Sequence, residues 1–288
     1  MAEQERIVYL NGEYLPLSEA RVPVLDRGFL LGDGIYEVIP VYRKLPFRQE
    51  EHFARLERSL SEVRITNPME RPDWDTVIDT LVARHPEPYQ AVYLQVTRGV
   101  APRQHEFPVG VRPTVFGMSI PFTPPSLESI GTGVRAISLP DERWLRCDIK
   151  SISLLANVLA RQSAVENDAN EAILFRNDIL TEGAAANIWV VKAGRLLAPV
   201  RNNLILEGIR YELLLTLADR CGIPVEIHDI SRAEVEAADE LLLTAATREV
   251  QPITRLDGKP VGSGLPGPIF AQLFAAYQDA KREARSLT

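Results

Sequence analysis

Pro121, Pro124 and Pro125, three prolines in the run Pro121-Phe122-Thr123-Pro124-Pro125-Ser126, divide this chain. Proline fixes φ and has no N–H to donate, so neither a helix interior nor a central strand can pass through such a run. An extended linker can. The reading is a domain over residues 1–120, a linker at 121–126 and a second domain over 127–288. Hydrophobic residues make up 45% of the 288, enough for two moderate cores.

Both parts mix strand and helix patterns in irregular order. Ile7-Val8-Tyr9-Leu10 and Glu13-Tyr14-Leu15-Pro16 flank Asn11-Gly12, a dipeptide that favours a tight hairpin turn. Strand patterns follow at 34–42, 91–97 and 114–120, and helical spacing of Phe53, Leu56, Leu60 and Val63 predicts a helix over 49–64. Trp74, Val77, Ile78, Leu81 and Val82 predict a second helix. Beyond the linker, strands are predicted at 132–138, 171–176, 187–192, 223–228, 240–245 and 249–255, and helices at 152–166, 208–220, 232–237 and 267–284. Irregular insertion of helices among strand runs predicts two α+β domains rather than a doubly wound sheet.

Charge narrows the partners. A net charge of −7 gives no basic face for nucleic acid or an anionic membrane, and no apolar run reaches the ~20 residues of a membrane span. Two cysteines, Cys147 and Cys221, without a C-x-x-C, suit a reducing compartment. The acidic start, Met1 to Arg6, lacks the apolar segment of a secretory signal, so a cytoplasmic location is expected.

Lys150 is the residue with the most chemistry in prospect. It stands in Arg146-Cys147-Asp148-Ile149-Lys150-Ser151, just before the apolar run Ile152 to Leu159. An apolar neighbourhood disfavours an ammonium, and a neutral amine is a nucleophile toward a carbonyl, the requirement of a Schiff-base enzyme. A solvated surface lysine is the commoner outcome for such a position. Glu182, in Thr181-Glu182-Gly183-Ala184-Ala185-Ala186, sits beside a small-residue loop that would admit a planar ligand, or marks an ordinary surface turn. Gly208-Ile209-Arg210 opens a predicted helix and Ala246-Thr247 ends a predicted strand, places where backbone N–H groups can bind phosphate. Arg55 is either a phosphate clamp or an exposed arginine on an amphipathic helix. Arg103 and His105 lie in a proline-framed loop and could hold one carboxylate, or form a plain basic loop. No cysteine, second histidine or acidic pair supports His105 at metal spacing, so no metal site is expected.

Taken together these segments resemble the class IV, or fold type IV, pyridoxal-phosphate aminotransferases, and within them the enzymes acting on D-amino acids. The resemblance runs over nearly the whole chain. It rests on Asp26 to Glu37, Gln95-Val96-Thr97-Arg98-Gly99, Pro102-Arg103-Gln104-His105, Arg143 to Ser151, and Thr181-Glu182-Gly183, in the family's order and spacing. It implies a smaller N-terminal α/β domain and a larger C-terminal domain with a barrel-like β core. It implies that Lys150 holds pyridoxal 5′-phosphate and shuttles a proton, and that Glu182 faces the pyridine nitrogen. Arg55, the backbone at Ile209 and Arg210, and that at Ala246 and Thr247 would bind the phosphate. Tyr36, Arg103 and His105 would trap the substrate carboxylate, the last two reaching the site of a partner subunit in a homodimer. Transamination of D-alanine or D-glutamate with 2-oxoglutarate or another 2-oxo acid follows. The alternatives within the fold are a branched-chain L-amino-acid transaminase, an aminodeoxychorismate lyase and an (R)-amine transaminase, against which Arg103 and His105 argue. A non-catalytic cofactor-binding protein is the alternative outside it. The chain departs from the family at Ala184-Ala185-Ala186, Arg210 and Ala246, where hydroxyl side chains are usual.

Overall fold

The structure is a computed structural model that describes residues 5–286; Met1 to Gln4, at the acidic start, lie outside the described residues. The chain packs as two compact units. The first comprises the residues up to Thr123 together with Ile149–Ser153, and the second Pro124–Asp148 and the residues from Leu154 onward. The segment bearing Lys150 thus groups with the N-terminal unit, a return that no composition shift in the sequence marks.

In the first unit, β1 (Ile7–Leu10), β2 (Glu13–Pro16), α1 (Arg27–Leu31), β3 (Gly34–Tyr42), β4 (Leu45–Pro46), α2 (Gln49–Glu62), α3 (Arg71–Ala83), β5 (Tyr89–Thr97) and β6 (Thr114–Pro121) follow in order. The strands form a six-stranded sheet in the order β2-β1-β6-β5-β3-β4. β3 and β5 pair antiparallel from Gly34↔Thr97 to Tyr42↔Tyr89. Successive strand residues point to opposite faces. Ile35, Ile39 and Val41 on one face of β3 pack with Val92, Leu94 and Val96, and with Phe53, Leu56 and Leu60 of α2 and Trp74, Ile78 and Leu81 of α3. Two consequences of that alternation position the chemistry. Glu37 falls on the core face with Ile35 and Ile39, whereas Tyr36 falls on the other.

The second unit contains α4 (Leu127–Ile130), β7 (Val134–Pro140), α5 (Leu155–Glu166), β8 (Glu171–Arg176), β9 (Ile179–Gly183), β10 (Asn187–Lys192), β11 (Arg195–Pro199), α6 (Ile209–Arg220), β12 (Val225–His228), α7 (Arg232–Glu236), β13 (Glu240–Ala245), β14 (Glu249–Leu256), β15 (Lys259–Pro260) and α8 (Pro268–Ser286). Its sheet runs β12-β11-β10-β13-β14-β7-β8-β9, with β15 paired to β14. β10 is third in this order and β9 eighth, yet only residues 184–186 join them, with Gly183 N–H donating to the Ala186 carbonyl at 2.7 Å. Five strand spacings in a flat sheet are about 24 Å. The link reaches roughly 14 Å at most. The sheet therefore curls, the barrel-like core that the resemblance implies. Among the described residues no helix is long and apolar enough to cross a membrane.

Two expectations change in detail. The helix predicted from residue 152 begins at Leu155, because Ile149–Ser153 runs beside β3 instead: Tyr36 N–H donates to the Lys150 carbonyl at 3.0 Å, and Ile152 N–H to that of Gly34 at 3.1 Å. Glu182, expected beside a small-residue loop, lies inside β9, a short strand that follows the strand predicted at 171–176 and that no predicted element covers.

Candidate active site

In the first unit Lys150 and Tyr36 come together. Their backbones share the hydrogen bond just described, and the half-buried lysine's Nζ stands 4.1 Å from the centre of the Tyr36 ring. The lysine's surroundings are therefore strand β3 and an aromatic face. The apolar residues expected to desolvate it, Leu155, Val158 and Leu159, are exposed on α5. Tyr36 stacks on Tyr93 with ring centres 5.7 Å apart, a diagonal cross-strand pair, and Tyr93 donates to Gln95 Oε1 at 2.6 Å. Burial, with Tyr36 beside it, pushes the Tyr93 hydroxyl up to about 12.

Arg55 is not an exposed surface arginine. It projects from α2 toward the core face of β3, where its Nε donates to Glu37 Oε1 at 2.7 Å and its Nη2 to Oε2 at 2.9 Å. His52 Nδ1 lies 2.8 Å from the same Oε2, one helical turn before Arg55. Glu37 is buried, which raises a carboxyl's pKa, but the Arg55 charge and both hydrogen-bonding partners hold it far below the usual carboxylate range. Glu37 and His52 were missed by the sequence reading. The signal was available: an acidic residue two positions from apolar ones on the buried face of a strand requires a charged partner.

Arg103 and His105 have exposed side chains on the loop between β5 and β6. The backbone of that loop is held from below by Arg27 of α1, whose Nη1 donates to the Gln104 carbonyl at 2.6 Å and Nη2 to that of His105 at 3.3 Å.

In the second unit Glu182 shares the face of β9 on which Leu180 enters the core, and it is buried. Leu206 N–H donates to both its oxygens at 3.1 Å, Asn187 Nδ2 to Oε2 at 3.2 Å, and Arg143 Nη1 contacts Oε1. Arg143 is divided, because its Nε and Nη2 also donate to Asp141, each at 2.9 Å. Burial pushes the Glu182 carboxyl above the usual carboxylate range, and the opposing Arg143 guanidinium does not restore it, in part because anionic Asp141 stands nearby. Arg143, Asp141 and Asn187 had no role in the sequence reading.

Ile209 and Arg210 open α6, a helix with no side-chain cap at its Gly208 N-cap. The first N–H groups of a helix have no partner within it. A Cβ on Gly208 would collide with Asn187 Oδ1, so only glycine fits between that amide and the helix start. The Arg210 side chain turns away, donating to Tyr277 Oη at 3.1 Å and to the Ala246 carbonyl at 3.3 Å, which ties the start of α6 to the turn at Ala246 and Thr247.

Comparison with known proteins gives the family to which this fold belongs. The family model for amino-transferase class IV matches residues 34–256, and the chain belongs to that family, whose members work with pyridoxal 5′-phosphate. It is 39% identical over 273 residues to the D-alanine aminotransferase of Bacillus licheniformis, covering 95% of this chain and 96% of that one. It is 37% identical over 267 residues to that of Staphylococcus haemolyticus, covering 92% and 94%. Among solved structures, the branched-chain amino acid aminotransferase of Escherichia coli superposes with a TM-score of 0.88 over 96% of this chain and 94% of that one. At 23% identity that likeness establishes the fold alone: this is a fold type IV aminotransferase.

Proposed function

We propose that this aminotransferase moves the amino group of D-amino acids, of the D-alanine and D-glutamate type, to 2-oxoglutarate or another 2-oxo acid. The observation that carries this reading is the set of Lys150 against Tyr36 with exposed Arg103 and His105 on a pinned loop, in a chain 39% identical over 95% of its length to a D-alanine aminotransferase.

The residues fit pyridoxal phosphate. Glu182 is a buried carboxylate whose own arginine leaves burial uncompensated, which suits a cationic ring nitrogen as further partner. Within the second unit the uncapped start of α6, kept open by Gly208, and the turn at Ala246-Thr247 suit a phosphate; within the first, the Arg55 guanidinium fixed by Glu37 is a separate group of matching chemistry. When bound, the cofactor supplies an electron sink for ionising the α C–H bond of an amino acid.

The chain's own groups do the rest. Lys150 would hold the cofactor covalently, and its Nζ as a free amine would carry the proton from the α-carbon of the amino donor to the cofactor carbon that bears the transferred nitrogen. Glu182 stabilises positive charge at the ring nitrogen. Tyr36, Arg103 and His105 fix the substrate carboxylate, so that Lys150 addresses one face and one enantiomer. One site serves both half-reactions in turn, and ping-pong kinetics follow. Arg103 and His105 would act in the site of a partner subunit, and exposed Leu155, Val158 and Leu159 on α5 and Phe29 on α1 are apolar surface that a homodimer would cover. The free thiols Cys147 and Cys221 suit the cytoplasm.

The test is direct. Purified enzyme should show a visible imine absorbance that is absent in Lys150→Ala, and with 2-oxoglutarate it should form pyruvate from D-alanine faster than from L-alanine. Faster turnover of L-alanine or L-leucine would sink the D-specific reading. Light scattering at the monomer mass would sink the shared site.

A further inference from the structure

Asp26-Arg27-Gly28 is among the segments that carry the family resemblance, yet no role falls to it in cofactor or substrate binding. We infer that Arg27 is a positioning residue: its buried guanidinium sets where the loop presents Arg103 and His105. The inference rests on the proposed carboxylate-binding role of those two side chains.

The loop is fastened at three levels. At its root, Arg27 N–H donates to the Gly99 carbonyl at 2.9 Å and Ala101 N–H to that of Leu25 at 3.2 Å. Gly99 has φ +103°, and a Cβ there would run into the Arg112 carbonyl, so the root accepts only glycine. In the middle, two consecutive carbonyls, those of Gln104 and His105, converge on Arg27. At the far side the Phe107 ring lies 3.6 Å from the Arg98 guanidinium and 4.8 Å from that of Arg64.

Asp33 joins the last two levels. Its Oδ2 accepts from Arg27 Nε and from Arg98 Nε, both at 2.8 Å, and its Oδ1 from Arg98 Nη2 at 2.9 Å. Burial would raise this carboxyl, but the two arginines hold it below its ordinary value. The Arg27 side chain is only 3% exposed, so its charge is matched by Asp33 and the two carbonyls rather than by water. A loop held only for its own stability could turn apolar side chains onto the sheet. Here the buried cation grips the backbone, while Arg103 and His105 stay exposed. Such a grip removes backbone freedom without engaging the groups that meet substrate, which is preorganisation of a binding element.

The experiment is steady-state kinetics of the holoenzyme with D-alanine and 2-oxoglutarate, for wild type, Arg27→Gln, Arg103→Ala, the double variant, and Phe107→Ala. Arg27→Gln should raise KM for both substrates about tenfold to hundredfold, leaving the visible absorbance of the bound cofactor unchanged. Phe107→Ala, an exposed change that leaves the core alone, should raise the same KM values about two- to fivefold. Adding Arg27→Gln to Arg103→Ala should cost clearly less than Arg27→Gln costs in wild type, because part of its effect passes through Arg103 and only the part through His105 remains. An Arg103→Ala enzyme with unaltered KM would remove the carboxylate role itself, whatever Arg27 does. A raised KM in Arg103→Ala with none in either Arg27→Gln or Phe107→Ala would overturn the inference alone, as would full multiplication of the two effects in the double variant. Should Arg27→Gln not fold, Phe107→Ala decides the matter by the same criterion.

Discussion

Glu37 and Glu182 are both buried carboxylates in contact with an arginine, and their proton affinities move in opposite directions. The difference lies in how each arginine is shared. Arg55 gives two N–H groups to the two oxygens of Glu37, and His52 adds a third partner. Arg143 gives two of its nitrogens to Asp141 and one to Glu182. The division is unequal: burial would raise Asp141, but Arg143 holds that carboxyl below its ordinary value, while burial still raises Glu182. Glu37 therefore belongs to a closed ion pair that fixes an arginine, whereas Glu182 retains demand for a cation. Under the proposed function, a partner for a positively charged ring atom calls for the second kind of carboxylate, and a phosphate-binding arginine calls for the first.

The largest effect should come from Glu37→Gln. It leaves the Arg55 charge buried without its counter-ion and should cost about 3–5 kcal/mol in urea unfolding of the apoprotein. It should also weaken cofactor retention. A variant as stable as wild type would mean that Glu37 is not a closed pair. Next is Glu182→Gln, expected to lower kcat about a hundredfold or more, the scale of removing one preorganised electrostatic partner. Its apoprotein should be at least as stable as wild type at neutral pH. Loss of several kcal/mol there would place Glu182 in the same class as Glu37.

Stability against pH separates the two more finely. The folded pKa of Glu37 is depressed, so its contribution is complete above the unfolded value, near ~4.3, and is lost as pH falls toward the folded one. The folded pKa of Glu182 is raised, so its contribution is present below the unfolded value and is lost as pH rises through the folded one. Glu37→Gln should flatten the acid limb of apoprotein stability. The advantage of Glu182→Gln over wild type should grow from acid toward neutral pH, and a constant difference would break the contrast.

How much of this was legible in the sequence depends on range. The hairpin at Asn11-Gly12, the long strands and the helices at 49–64 and 267–284 follow from local periodicity, and motif order singles out Lys150, Glu182 and Arg103 as candidates. What surrounds them is not. Arg143 reaches Glu182 across 39 residues and Arg55 reaches Glu37 across 18, pairings that only tertiary packing decides. Strand parity could still have flagged Glu37, which falls among core-facing residues. The return of Ile149–Ser153 to β3 had no local sign, because an apolar run after Lys150 reads equally as the start of a helix.

The smallest expected effect is the sharpest for the comparison. Asp141 accepts from Arg143 Nε and Nη2 and lies 3.3 Å from Arg176, and its negative charge raises the proton affinity of Glu182. Asp141→Asn removes that repulsion and leaves more of the Arg143 charge to Glu182. The Glu182 carboxyl should then titrate at lower pH and come to resemble Glu37. Carbon-13 NMR of labelled glutamate in the apoprotein reads this directly, with Glu182→Gln to assign the resonance. Rates should change less than in Glu182→Gln, since the carboxylate itself remains. If the resonance does not move, or moves to higher pH, the sharing of Arg143 is not what distinguishes the two glutamates, and burial depth alone must account for Glu182.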